Sequence, residues 1–172
     1  MAPITYDDLE KNFSLLKKSP EKFLELANEF VRNQPEHSGG YFSRHFAWEK
    51  LGQVERALED LRTAHRLGPK VTDFYAIGRV LHSAGRFAAA VDALNAAERD
   101  DPGWKQGRGP FIRADCHARL GNLDAALADC ACLSEDHFFP YGFLGLPEGD
   151  KQQVIEEIRR LAAEACGTAR SS

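Results

Sequence analysis

Two stretches of the chain, GQVERALEDLRTAHRLGP at 52–69 and GRFAAAVDALNAAERDDP at 85–102, carry the same residue types at the same places, 33 residues apart. The matching pairs are Gly52 and Gly85, Ala57 and Ala90, Leu61 and Leu94, Ala64 and Ala97, and Pro69 and Pro102. A fixed period of this length marks one supersecondary unit used again and again, with each copy burying its apolar face against the next. Within the unit, glycine takes a left-handed conformation at little cost and closes one helix, while proline stops the following one. Each period therefore holds two helices. The alanines, seven residues apart, keep one helix face small enough for a neighbouring helix to come close. A third copy, GNLDAALADCACL from Gly121, repeats the glycine with Ala126 and Leu127, and puts Cys130 and Leu133 at the following positions.

Upstream of each glycine lies a partner helix: GGYFSRHFAWEKLG, DFYAIGRVLHSAG and GPFIRADCHARLG, opened by Tyr41, Phe74 and Phe111. The pattern resembles the tetratricopeptide repeat, a helix–turn–helix unit of about 34 residues. The resemblance is strong over 71–104, through Phe74, Ile77, Gly78, Leu81, Gly85, Phe87, Ala90, Leu94, Ala97 and Pro102. Over 38–70 it rests on Tyr41, Trp48, Gly52, Ala57, Leu61, Ala64 and Pro69, with Arg44 and His45 standing where an apolar and a small residue are wanted. Over 107–137 it keeps Ala114, Gly121 and Ala126 and lacks the terminal proline. The resemblance implies an all-α fold, a short α-solenoid wound as a right-handed superhelix.

Both flanks extend the array. Residues 1–37 read as a degenerate N-terminal hairpin: Thr5 and Asp8 form a capping-box pattern, and Leu9, Phe13 and Leu16 are expected on one helical face. Ser19-Pro20-Glu21 starts the second helix, with Phe23, Leu24, Ala27, Phe30 and Val31 leading to Pro35. At the other end, Asp150 begins a capping helix over 150–167, whose Val154, Ile155, Ile158, Leu161, Ala162 and Ala165 form one stripe. Its opposite face offers Glu156 and Arg160 at the favourable i,i+4 spacing. Such a helix covers the open end of the last repeat. Between them, SEDHFFPYGFLGLPEG (134–149) is too broken for a helix and is expected as an aromatic loop over 138–149. About nine helices in a single domain result.

Net charge −4 and pI near 5.9 leave no basic field to gather phosphates, which argues against nucleic acid and anionic membrane surfaces. No apolar run approaches the roughly 20 residues of a membrane span, and the acidic start MAPITYDDLEKN does not read as a signal peptide. A cytoplasmic location is expected. Cys116, Cys130, Cys132 and Cys166 are few and irregularly spaced, so they are expected as reduced thiols. Cys130 and Cys132 diverge on one helix and do not share a zinc. No metal, cofactor or catalytic residue is expected. His117 and Asp115 diverge on one helix, no nucleophile elbow is present, and SGG at 38–40 lacks the lysine and hydroxyl of a phosphate loop.

In the family it resembles, the first helix of each hairpin lines a concave groove that takes peptides or protein segments. Carried across residue by residue, the groove positions are Phe42, Phe46 and Glu49, then Tyr75, Arg79 and His82, then Arg108, Phe111, Ile112, Asp115 and Arg119. The carboxylate clamp that some members use on chaperone tails is absent, since Phe42, Phe46 and Ala76 occupy its places. The chain is thus expected to be a non-enzymatic protein-interaction module, an adaptor that binds an amphipathic helix or an extended apolar segment. The alternative is a dedicated inhibitor, such as an immunity protein that neutralises a toxin domain. Two structural alternatives stand beside the groove: cover of its aromatics by the flanks, and a loop whose Phe138, Phe139, Tyr141 and Phe143 either pack down or form a second partner surface.

Overall fold

Three glycines set the rhythm of the backbone. Gly52, Gly85 and Gly121 have φ of 70°, 71° and 78°, a region that costs glycine little. In each case the amide after the glycine donates five residues back: Gln53 to Trp48 (2.8 Å), Arg86 to Leu81 (2.9 Å) and Asn122 to His117 (2.8 Å). The glycine amides themselves donate to Glu49, His82 and Ala118, completing the same Schellman closure three times. At Gly52 and Gly85 a Cβ would meet nothing within 4 Å, so it is the dihedral angle and not space that requires glycine there.

The computed structural model describes residues 4–68, 70, 72–101, 103, 108–135 and 149–169, with the backbone alone at 72, 168 and 169. Pro69, Pro102 and the aromatics of 138–146 lie outside them. All ten described elements are α-helices: α1 (Tyr6–Lys11), α2 (Leu15–Lys18), α3 (Pro20–Asn33), α4 (Ser38–Lys50), α5 (Val54–Leu67), α6 (Thr72–Ser83), α7 (Phe87–Asp100), α8 (Gly109–Arg119), α9 (Leu123–Ala131) and α10 (Lys151–Ala169). Four residues separate α5 from α6, and eight separate α7 from α8. The chain forms two compact units, Met1–Ala76 and Ile77–Ser172, and α6 begins in the first and ends in the second.

In the first unit, α3 packs on α4 and α4 on α5. Leu9, Leu16, Phe23, Ala27, Phe30 and Ala47 form its core, joined along α5 by Ala57, Leu58, Leu61 and Ala64. Thr5 and Asp8 make the reciprocal capping box expected of them. The helix they start is shorter than expected: after Asn12 the amides of Phe13, Leu15 and Leu16 donate to carbonyls three residues back, and a turn at 12–14 separates α1 from α2. That break turns Phe13 outward. It is 44% exposed, whereas Leu9 and Leu16 are buried.

In the second unit α8 packs on α7 and α9, and α10 lies against both α8 and α9. Gly78 lets α6 approach α7, since a Cβ there would stand 2.6 Å from Leu94 Cγ. Asp150 and Gln153 cap α10 reciprocally, each backbone N–H donating to the other's side chain at 2.9 Å. Val154, Ile158 and Ala162 are its buried stripe. The exposed Arg160 does not use Glu156. It donates to Glu157, one turn ahead on its other flank, and to Glu164.

Arg44, out of place for the repeat pattern, has a partner. Its Nε and Nη2 donate to both oxygens of Asp60 (2.8 and 2.7 Å), and its Nη1 donates to Asn28 (3.0 Å). Arg113 repeats the arrangement in the second unit, with Nε and Nη2 on Asp129 and Nη1 on Asn95 (2.8 Å) and Glu98 (2.6 Å). Burial pushes the Asp60 carboxyl up more than Arg44 pulls it down. The middle repeat has Ile77 and Ala93 at the corresponding positions and needs no such pair.

Candidate functional site

The side chains expected to meet a partner sit on α4, α6 and α8, the first helices of their hairpins, and their surroundings differ from one to the next. In the first unit Phe42, Phe46, Glu49 and Tyr75 are all half-buried. Phe42 and Phe46, one turn apart on α4, meet edge to face at 5.7 Å. His45 is fully buried, stacks on Phe46 at 3.9 Å and hydrogen-bonds through Nδ1 to the Phe42 carbonyl, which fixes both rings. Phe13 adds an edge contact to Phe46 at 5.3 Å. Phe46 is therefore partly covered from the N-terminal side, one of the alternatives raised for these aromatics.

Also in the first unit, α4 and α5 enclose a polar hollow of about 240 Å³ lined by Tyr41, Arg44, Trp48, Arg56, Glu59, Asp60 and Thr63. Arg56 stacks over Trp48 at 4.7 Å and Arg44 over Tyr41 at 5.4 Å. The sequence reading did not find this hollow. Its residues pair across two helices, and no helical or strand period links positions sixteen apart.

In the second unit the expected site residues divide by burial. Arg79 and Arg119 are half-buried and Arg108 is exposed, whereas His82, Phe111, Ile112 and Asp115 are buried. Phe111 and Ile112, at 2% and 0% exposure, belong to the packed interior of α8. His82 Nε2 lies 2.7 Å from Asp115 Oδ2, and Arg119 Nε donates to the same oxygen at 2.6 Å. Arg119 also lies over the Phe87 ring at 5.2 Å. Together these contacts tie α6 to α8. His82 Nδ1, Asp115 Oδ1 and His117 Nδ1 are buried without a hydrogen-bond partner among the described residues.

A buried His–Asp pair invites an acid–base reading, so the chemistry beside it matters. Cys116 is next in sequence to Asp115, and burial pushes its thiol up to about 12; burial raises Cys130 to about 11. Both stay protonated at neutral pH and are inert as nucleophiles. Burial lowers the pKa of His117, which keeps it neutral. No group of three or more His, Cys, Asp or Glu side chains among the described residues could hold a metal. No described helix is long and apolar enough to cross a membrane. The possible second surface of Phe138, Phe139, Tyr141 and Phe143 lies outside the described residues.

Residues 49–103 match the family model of the tetratricopeptide repeat. Several solved structures share the fold at low sequence identity. YrrB, described as a TPR protein with an unusual peptide-binding site, superposes with a TM-score of 0.63 at 20% identity, over 98% of this chain and 84% of that one. MamA from Desulfovibrio magneticus RS-1, from its residue 41 onward, gives 0.64 at 17%, over 99% of both chains. TTC0263, a thermophilic TPR protein of Thermus thermophilus, gives 0.57 at 22%, over 94% of this chain and 79% of that one. The all-helical repeat fold expected from the sequence is thereby found.

Proposed function

We propose that this tetratricopeptide-repeat chain is a non-enzymatic protein-interaction module, an adaptor that takes a partner segment on the inward faces of its first helices. The observation that carries the reading is a contrast within α4 and α6. The small residues Ala47 and Ala76 are buried, while Phe42, Phe46 and Tyr75 beside them keep part of their rings accessible. Half-open aromatics held at helical spacing are the side chains that most often dominate interface energy. On the second unit Arg79, Arg108 and Arg119 are the accessible counterparts, and the buried Asp115, with His82 beside it, holds Arg119. Four free thiols support a reducing, cytoplasmic setting.

The test is affinity for the natural partner, recovered by co-purification and measured by calorimetry. Tyr75→Ala is expected to weaken binding by about 1–3 kcal/mol while changing stability much less. If Tyr75→Ala and Arg79→Ala both bind like the parent while changes at Phe139 or Tyr141 abolish binding, the aromatic loop takes the place of the helix faces. The same partner separates adaptor from inhibitor. An adaptor binds a short isolated peptide with little salt dependence. An immunity-type inhibitor, which the net charge of −4 would suit, needs a folded basic domain and loses its on-rate as ionic strength rises.

A further inference from the structure

Among the described residues only two large apolar side chains are exposed, Phe13 and Leu120. Phe13 is 44% exposed, yet it makes two edge-to-face ring contacts, with Phe23 at 5.7 Å and with Phe46 at 5.3 Å. Through Phe46 it continues to Phe42, so that three rings run in series from the turn at 12–14 onto α4. A core phenylalanine is buried on all sides, as Phe23 and Phe30 are at 0% exposure. Phe13 instead covers another aromatic while remaining nearly half in water.

How the ring is held makes it separable from the fold. It sits in the turn between α1 and α2, helices of six and four residues that are too short to be stable alone. Each is fastened by its own buried leucine, Leu9 in α1 and Leu16 in α2. Moving Phe13 off Phe46 therefore breaks two ring contacts and leaves both anchors in place. The position it would vacate is bounded by Phe46, which His45 backs at 3.9 Å.

We infer that Phe13 is a gate on the Phe42–Phe46 face, an internal stand-in for an apolar side chain of the partner, which displaces it on binding. The inference rests on the reading of Phe42 and Phe46 as partner-contacting residues. It predicts that a partner segment carrying a phenylalanine or leucine, a side chain of the size of the Phe13 ring it replaces, binds more tightly once the gate is removed.

The full chain is compared with Phe13→Ala, with Phe13→Ala/Phe46→Ala and with Phe30→Ala, using anilinonaphthalene sulfonate as the apolar probe and circular dichroism for folding. Phe13→Ala is expected to raise the probe's fluorescence several-fold under native conditions, with helicity kept and Tm within a few degrees of the parent. The double variant should return fluorescence to the parent level, which locates the probe on Phe46. Unchanged fluorescence in Phe13→Ala overturns the gate, and so does a loss of helicity and Tm resembling that of Phe30→Ala, which would make Phe13 an ordinary core residue. If the probe behaves as expected but Phe46→Ala binds the natural partner like the parent, it is the partner-contact reading that falls, and the two failures are told apart.

Discussion

Asp129 is 5% exposed and receives N–H groups from both Nε and Nη2 of Arg113, an arrangement that ties two helices only while both partners are present. Removing Asp129 leaves Nε and Nη2 of Arg113 without their acceptor while Nη1 keeps Glu98 and Asn95, so Asp129→Ala alone should cost about 1–3 kcal/mol. The chain itself supplies the remedy, because its middle repeat fills the same two positions with Ile77 and Ala93. Arg113→Ile/Asp129→Ala should recover most of the loss in urea-unfolding midpoints; a double variant as unstable as the single one would mean that the pair does not act as a unit. At this scale the sequence was only half readable. Arg44 stood out as a departure from the repeat pattern, but Asp60 and Asn28, its partners on two other helices, are each sixteen residues away, and that spacing carries no period. Phe13 stands apart for a related reason: helical spacing sets it beside Leu9 and Leu16, and a tightening of the backbone bonds to three-residue steps after Asn12 breaks the helix between them.

Helix ends were more legible, because a cap is written within four residues. Thr5 with Asp8, Pro20 at a first turn, and Asp150 all begin helices where the sequence put them. The bond from the Thr5 hydroxyl, with a second from its backbone amide, holds the Asp8 carboxyl below its ordinary value of 3.8. A carboxyl depressed in the folded chain lends stability that is present above its ordinary value and lost as pH falls through the folded one. The first turn of α1 should therefore fray on acidification below about pH 4, and Thr5→Ala should shift the Asp8 titration, followed by carboxyl carbon NMR, back towards the ordinary value. A Thr5→Ala chain with an unmoved Asp8 titration would remove the capping box from the account. The break between α1 and α2 could not be read in the same way, because it is made by a few backbone bonds shortened to three-residue steps, with no glycine or proline at 12–14 to mark it.

For the whole molecule, period was the strongest signal. A 33-residue recurrence of glycine, alanine and leucine carries the helical hairpin with it, and three identical Schellman closures are its physical counterpart. Whether a side chain on a first helix is open to a partner was not legible, since that depends on what other elements cover: His82 and Asp115 close on each other, and Phe46 lies under Phe13. The period is also not constant, since 33 residues separate Gly52 from Gly85 and 36 separate Gly85 from Gly121. The helices are of nearly matched length, so the surplus falls in the joint between α7 and α8, which is eight residues long against four between α5 and α6. Closing a loop of twice the length costs only about 0.6 kcal/mol in chain entropy. That joint is therefore a splice point, where foreign sequence can enter without disturbing the register of the helices on either side. A glycine–serine insert placed after Gly103, which is exposed, should leave Tm within a few degrees of the parent, whereas the same insert after Gly85, inside a closed turn, should lower it sharply; equal losses at both places would show that the longer joint has no slack.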